Sequence, residues 1–327
     1  MGVIQGCPAS PTVFGMIIHD LFWSSEQLNL GVTIGGVQIP LLLFADDKCS
    51  KIRQRLSKAL VQPVVLYGAP SLGPALSRTN WRKIESIQKK FLQHELGVRT
   101  QVPYAILLAE VGMLSLEAEA LLLAIQYTVR VRGQEDNRYS KQAWISSKSS
   151  GCGTDLACWS AFWGIEEKDW EPLISLRTRV ADSVIQKLWE DPTPRQAYYC
   201  RDIFRLTPYT EHAYLTSDLS PHLQRLVACY RTSSHSLRVE EGRWTGIPWE
   251  QRMCKLFTLG QIETEHHVFL KCPQYSLLRE QHEISFHDLR DFFLVSPIRL
   301  GSYILAVDKA QQLALEQLVG PTDDPPT

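Results

Sequence analysis

The 327-residue sequence has almost no net charge, with 34 Lys and Arg against 35 Asp and Glu. That balance excludes a strongly basic nucleic-acid coat, although it leaves room for a local basic stripe. Long hydrophobic runs are also missing. The longest apolar run near the start, Ile39 to Ala45, is seven residues, far short of the roughly 20 that span a bilayer. No Lys or Arg precedes the N-terminal apolar stretch, so the start does not read as a secretory signal. No nucleophile elbow, Walker loop or GxGxxG motif occurs, which removes the commonest hydrolase and nucleotide-binding signatures. No repeat of roughly 20–50 residues marks a solenoid. The eight cysteines stand at wide, irregular intervals. They do not form a recognisable disulfide framework and point to a reducing, intracellular compartment. What is present is ordinary globular composition, 44% hydrophobic and 21% charged, and length for roughly two domains.

Read along the chain, Ser10 suits a helix N-cap and Pro11 the first helical position, where a missing N–H costs nothing. Phe14, Ile17, Ile18, Leu21 and Phe22 then recur on one helical face. Val32 to Ile34 and Val37 to Ala45, separated by Gly35-Gly36, read as a hairpin leading into a buried strand that ends at Asp46-Asp47. Helices are predicted from about Arg78 to Leu96, with Trp81, Ile84, Ile87, Phe91 and Leu92 inward and Gly97 as C-cap, and from about Ser115 to Arg132. The polar, Ser- and Gly-rich stretch 133–155 reads as a linker. The remainder reads as mainly helical, broken by prolines.

Two adjacent carboxylates at the end of a buried strand are costly unless they bind a metal or stand in water. A polar turn at a strand end would also place Asp there. The sequence context bears on this choice. Gly-Val-Ile-Gln-Gly-Cys-Pro-Ala-Ser-Pro-Thr-Val-Phe (2–14) followed by Leu-Leu-Leu-Phe-Ala-Asp-Asp (41–47) resembles the reverse transcriptases of non-LTR, LINE-type retrotransposons. Gln5, Gly6, Pro8, Ser10 and Pro11 match that family's loop motif, and Phe44, Ala45, Asp46 and Asp47 its metal motif. The resemblance implies that Asp46 and Asp47 are catalytic and bind Mg2+. It implies that Gln5, Gly6, Pro8 and Ser10 face the template and incoming nucleotide. RNA template and DNA primer are the implied partners, with no membrane, and the nucleus is an implied site of action.

The same resemblance exposes departures. The family's palm has a further metal-binding aspartate and fingers upstream of the loop motif, whereas this sequence starts directly on that loop. After Asp47 the family continues into an apolar returning strand, but here Lys48, Cys49, Ser50 and Lys51 follow. One acidic pair is expected to be too few to hold two metals at working separation. The chain is therefore expected to be catalytically incompetent by itself.

Residues 61–132 resemble the thumb-side and post-polymerase helical region of these elements, through Pro63 to Gly68, Ile84 to Leu92 and Leu108 to Leu114. Arg78, Arg82, Lys83, Lys89, Lys90 and Arg99, interleaved with Trp81 and Phe91, could track a phosphate backbone. The bland reading, a solvated helix face with its aromatics turned to the core, is favoured. Farther on, residues 237–279 resemble the Cys-Cys-His-Cys segment that follows the polymerase in many LINE-type proteins. Cys254, His267 and Cys272 are its matching ligands, and Phe257 stands where the second cysteine belongs. Zinc favours four tetrahedral thiolate or imidazole ligands. The segment could bind Zn2+ with His266 or water completing the shell. The favoured reading is a pair of small buried thiols beside a core histidine.

The expected fold class is α+β, mainly α. A partial reverse-transcriptase palm (helix plus β-hairpin) is expected at 1–50, a helical region at 55–132, a linker at 133–155, and a helical C-terminal region at 156–327 with the Cys/His segment at 254–272. The expected function is a fragment of an RNA-directed DNA polymerase. The alternatives are a nucleic-acid-binding remnant without catalysis, or a decayed element product with no selected function.

Overall fold

A computed structural model of the chain describes residues 32–34, 37–39, 58, 62–149, 152–203, 212–256 and 260–319. Asp46, Asp47, Gln5, Gly6, Pro8, Ser10 and Phe257 lie outside the described residues. The chain divides into a unit at 1–61 and a larger one at 62–327. In the first, β1 (Val32–Ile34) pairs antiparallel with β2 (Val37–Ile39), Val32 opposite Ile39 and Ile34 opposite Val37. The intervening Gly35-Gly36 is the two-residue connection that tight hairpins favour. The rest of the palm expected at 1–50 lies outside the described residues.

The second unit is mainly helical. Its longer helices are α1 (Arg78–Leu96), α2 (Tyr104–Val111), α3 (Leu116–Arg132), α4 (Tyr139–Ser149), α5 (Cys152–Phe162), α6 (Leu173–Leu188), α7 (Pro221–Arg231), α8 (Arg238–Trp244) and α9 (Pro297–Val319). Among the described residues, no helix is long and apolar enough to cross a membrane.

Helices α1 and α3 begin as their sequences dictate. The Ser77 and Ser115 hydroxyls accept from the backbone N–H groups of Asn80 and Ala118, satisfying donors that the first turn leaves orphaned. Helix α1 ends on Gly97 at φ 65°, a left-handed conformation that glycine adopts without steric cost. Trp81, Phe91 and Leu92 are buried, while Ile84 and Ile87 are half-buried. Arg82, Lys83 and Lys90 stand in solvent. Arg78 is instead occupied within the fold.

Arg78 donates to Glu117 at 2.5 Å, and the same carboxylate accepts from the indole N–H groups of Trp159 and Trp163 at 2.9 and 3.3 Å. A buried carboxylate is costly unless so partnered. Trp159 also stacks on Trp81 with ring centroids 5.5 Å apart. Gly73 lets the chain pass this stack, because a Cβ there would lie 2.9 Å from the Trp159 ring. One apolar core thus runs from Leu66 through α3 and α5 to Ala181 in α6.

The stretch expected as a linker at 133–155 therefore differs from that reading: it holds α4 and the start of α5. Residues 62–132 and 156–327 lie in the same unit. Burial of Leu156 and Trp159 against α3 supplies what the Ser- and Gly-rich local sequence lacks.

Glu85, also on α1, is pushed up to about 7 by burial and by the neighbouring Glu117 carboxylate. A carboxyl raised in the folded state contributes stability below its unfolded value of about 4.5 and loses it as pH rises through 7. Glu85→Gln is therefore expected to raise the urea midpoint relative to the parent chain, by an amount that grows between pH 4.5 and pH 8. A pH-independent difference would contradict this assignment.

A second buried network joins α2 to α7. Glu110 is fully buried and accepts from Tyr199 and Tyr214 hydroxyls at 2.5 and 2.6 Å and from Arg231 Nε at 3.0 Å. Burial alone would raise this carboxyl, but Arg231 and its other partners hold it down to about 2. Helix α7 also packs on α1 and α9, so this charge pair lies where several parts of the unit meet.

Candidate metal centre

Between α8 and α9 the chain makes two turns that face each other. In the first, Met253 pairs antiparallel with Ile262. Cys254 N–H donates to Gln261 O at 2.8 Å, and Glu263 N–H to Arg252 O at 2.9 Å. This short ladder fixes Cys254 at the edge of a reversal. In the second, His267–Lys271 forms a π-helical turn, and Cys272 N–H closes it on His267 O at 2.6 Å. An i→i+5 bond sets residues five apart above one another, so His267 and Cys272 share a side. Thr264 Oγ1 accepts from His267 N–H at 3.1 Å and secures the start of the turn. Pro273 follows Cys272 directly and, lacking an N–H, cannot extend the π-turn.

The result is convergence. Ligand atoms of Cys254, His267 and Cys272 all lie within 4.8 Å of one another, and all three residues are buried. Around tetrahedral zinc, at bond lengths of 2.0–2.3 Å, such atoms would stand about 3.3–3.8 Å apart. The donor set fits zinc after a small contraction. Cys254 hydrogen-bonds to Cys272, which lowers the Cys272 thiol to about 7 and raises that of Cys254. One thiolate is thus accessible near neutral pH, the protonation state a metal requires.

The turns are held from behind. Phe269, inside the π-turn, packs against Tyr230 and Phe292, and its carbonyl accepts from the Tyr303 hydroxyl of α9 at 2.7 Å. Glu263 accepts from Gln311 of α9 at 2.7 Å. Glu265 and His235 pair at 2.8 Å, and Leu237 N–H donates to the other ring nitrogen of His235 at 3.2 Å. Sequence reasoning missed this support, because Tyr303, Gln311 and His235 lie far from the ligands along the chain. The ring of His266 was a candidate fourth ligand. It turns elsewhere, placing Nε2 3.1 Å from the carbonyl of His287.

Comparison with protein-family models, curated proteins and solved structures finds no match for the chain. The functional reading therefore stands on the residues themselves.

Proposed function

We propose that this chain derives from the RNA-directed DNA polymerase of a non-LTR retrotransposon. In this reading its described region is a nucleic-acid-binding part with a zinc-stapled Cys/His turn. The observation that carries the proposal is the meeting of Cys254, His267 and Cys272. The three match the family's ligand positions and stand 13 and 5 residues apart in sequence. Zinc would hold the two reversals together, and folding there and metal binding would be one equilibrium. The palm at 1–50, with Asp46 and Asp47 as Mg2+ ligands and Gln5, Gly6, Pro8 and Ser10 toward template and nucleotide, belongs to the same reading. RNA template and DNA primer are its partners.

The test uses the purified full chain. Elemental analysis is expected to find about one zinc per molecule. A titration with single-stranded RNA or DNA is expected to weaken steeply with salt, with a logarithmic slope of about −0.7 per phosphate contacted. A chain that retains no zinc and binds neither strand at low salt would overturn the proposal.

A further inference from the structure

Beside the metal centre lies a cavity of about 500 Å³ whose lining includes Trp249, Arg201, Asp202, His266, Asp288 and Arg290. Its volume falls within the range of small-molecule sites. Two of its walls are strung on the metal loop. Trp249 comes five residues before Cys254, and His266 immediately precedes His267. The other walls come from the π-turn Tyr199–Ile203 and from the short helix Leu289–Phe292. Arg290 joins these two by donating to the carbonyls of Cys200 and Arg201.

The charge arrangement selects among ligands. Arg201 is paired with Asp202 through Nε at 2.8 Å and Nη2 at 2.7 Å. Arg290 is committed to carbonyls, and Asp288 caps its helix by accepting from Asp291 N–H at 2.8 Å. Two arginines against two aspartates leave no net positive charge to trap a phosphate. What the cavity does offer is the 46%-exposed indole of Trp249, with Arg252 5.7 Å from its ring centroid and the remaining lone pairs of the Asp202 and Asp288 carboxylates as acceptors around it. A flat heteroaromatic ring with donors and acceptors on its edge fits that lining, because bases stack on aromatic side chains and hydrogen-bond at their edges.

We propose that this cavity receives one unpaired nucleobase of a single strand, stacked on Trp249. The proposal rests on the nucleic-acid reading above and deepens it: zinc fixes the two lips, and the cavity takes the base. An RNA or a DNA strand presents the same ring chemistry.

The experiment compares the zinc-loaded full chain with labelled oligouridine, oligothymidine and a strand of the same length built from abasic units. Fluorescence anisotropy at fixed salt reads affinity. The base-bearing strands are expected to bind about tenfold more tightly than the abasic strand, the scale of one stacking contact. Trp249→Ala is expected to abolish that difference without changing the salt slope, and Trp249→Phe to keep most of it. Whichever of the uridine and thymidine strands shows the difference identifies the strand chemistry, sugar and base methyl together, that the site accepts. If the parent chain binds all three strands equally, the cavity proposal is overturned while nucleic-acid binding stands. If it binds none at low salt, both fall. The abasic comparison is made on the parent chain, so it decides the matter even if a Trp249 variant fails to fold.

Discussion

Arg231→Met is expected to destabilise the folded chain by about 3–5 kcal/mol in urea unfolding, the usual cost of stranding one partner of a buried ion pair. The partner left behind is Glu110, a fully buried carboxylate that two tyrosine hydroxyls would still contact, with the His212 ring 3.9 Å away as its one remaining titratable basic neighbour among the described residues. The double variant Glu110→Gln, Arg231→Met is expected to be more stable than Arg231→Met alone, because it removes the isolated charge as well. The pH dependence has a definite sign. Glu110 sits at about 2 in the folded chain against 4.5 in the unfolded one. Its contribution, roughly 3 kcal/mol, is present above pH 4.5 and lost as pH falls toward 2. In Arg231→Met this acid limb is expected to disappear. A variant that unfolds within 1 kcal/mol of the parent would mean that the pair does not tie α2 to α7 as the geometry indicates.

The second large effect concerns the metal. Cys272→Ser is expected to weaken zinc binding by more than about 100-fold. Changes to groups that merely orient a ligand already cost 10–100-fold, and here a ligand itself is lost. Competition with a chromophoric chelator measures this directly. The same variant, or removal of zinc from the parent, is expected to increase amide exchange between Arg252 and Tyr275 while leaving α1 and α3 protected, since the apolar core around α3 and α5 does not involve the metal turns. Equal zinc affinity in parent and variant would show that Cys272 is a core thiol.

Local signals made parts of this structure readable in advance. Helices α1 and α3 carry serine N-caps, unbroken apolar periodicity and, for α1, a glycine stop, so their limits follow from the residues within them. The Cys254, His267 and Cys272 cluster was legible only as a motif, because nothing in the 3.6-residue pattern anticipates a π-turn at His267–Lys271. Helices α4 and α5 were unreadable for the opposite reason. Their Ser and Gly content argues for a loop, and what makes α5 a helix is the docking of Leu156 and Trp159 on α3. The cavity was invisible too. Its walls come from four separate stretches of sequence, and an indole exposed at Trp249 looks, in one dimension, the same as one buried at Trp159.

The π-turn carries an evolutionary corollary. Because Cys272 N–H closes on His267 O, the interval between these two ligands acts as a fixed gauge. Residues inside it can drift in identity so long as Phe269 still fills its socket. A single codon gained or lost there would rotate one ligand by roughly a quarter turn and break the i→i+5 closure. Descendants of this sequence that keep the metal should therefore vary in the letters between the two positions, and never in their number.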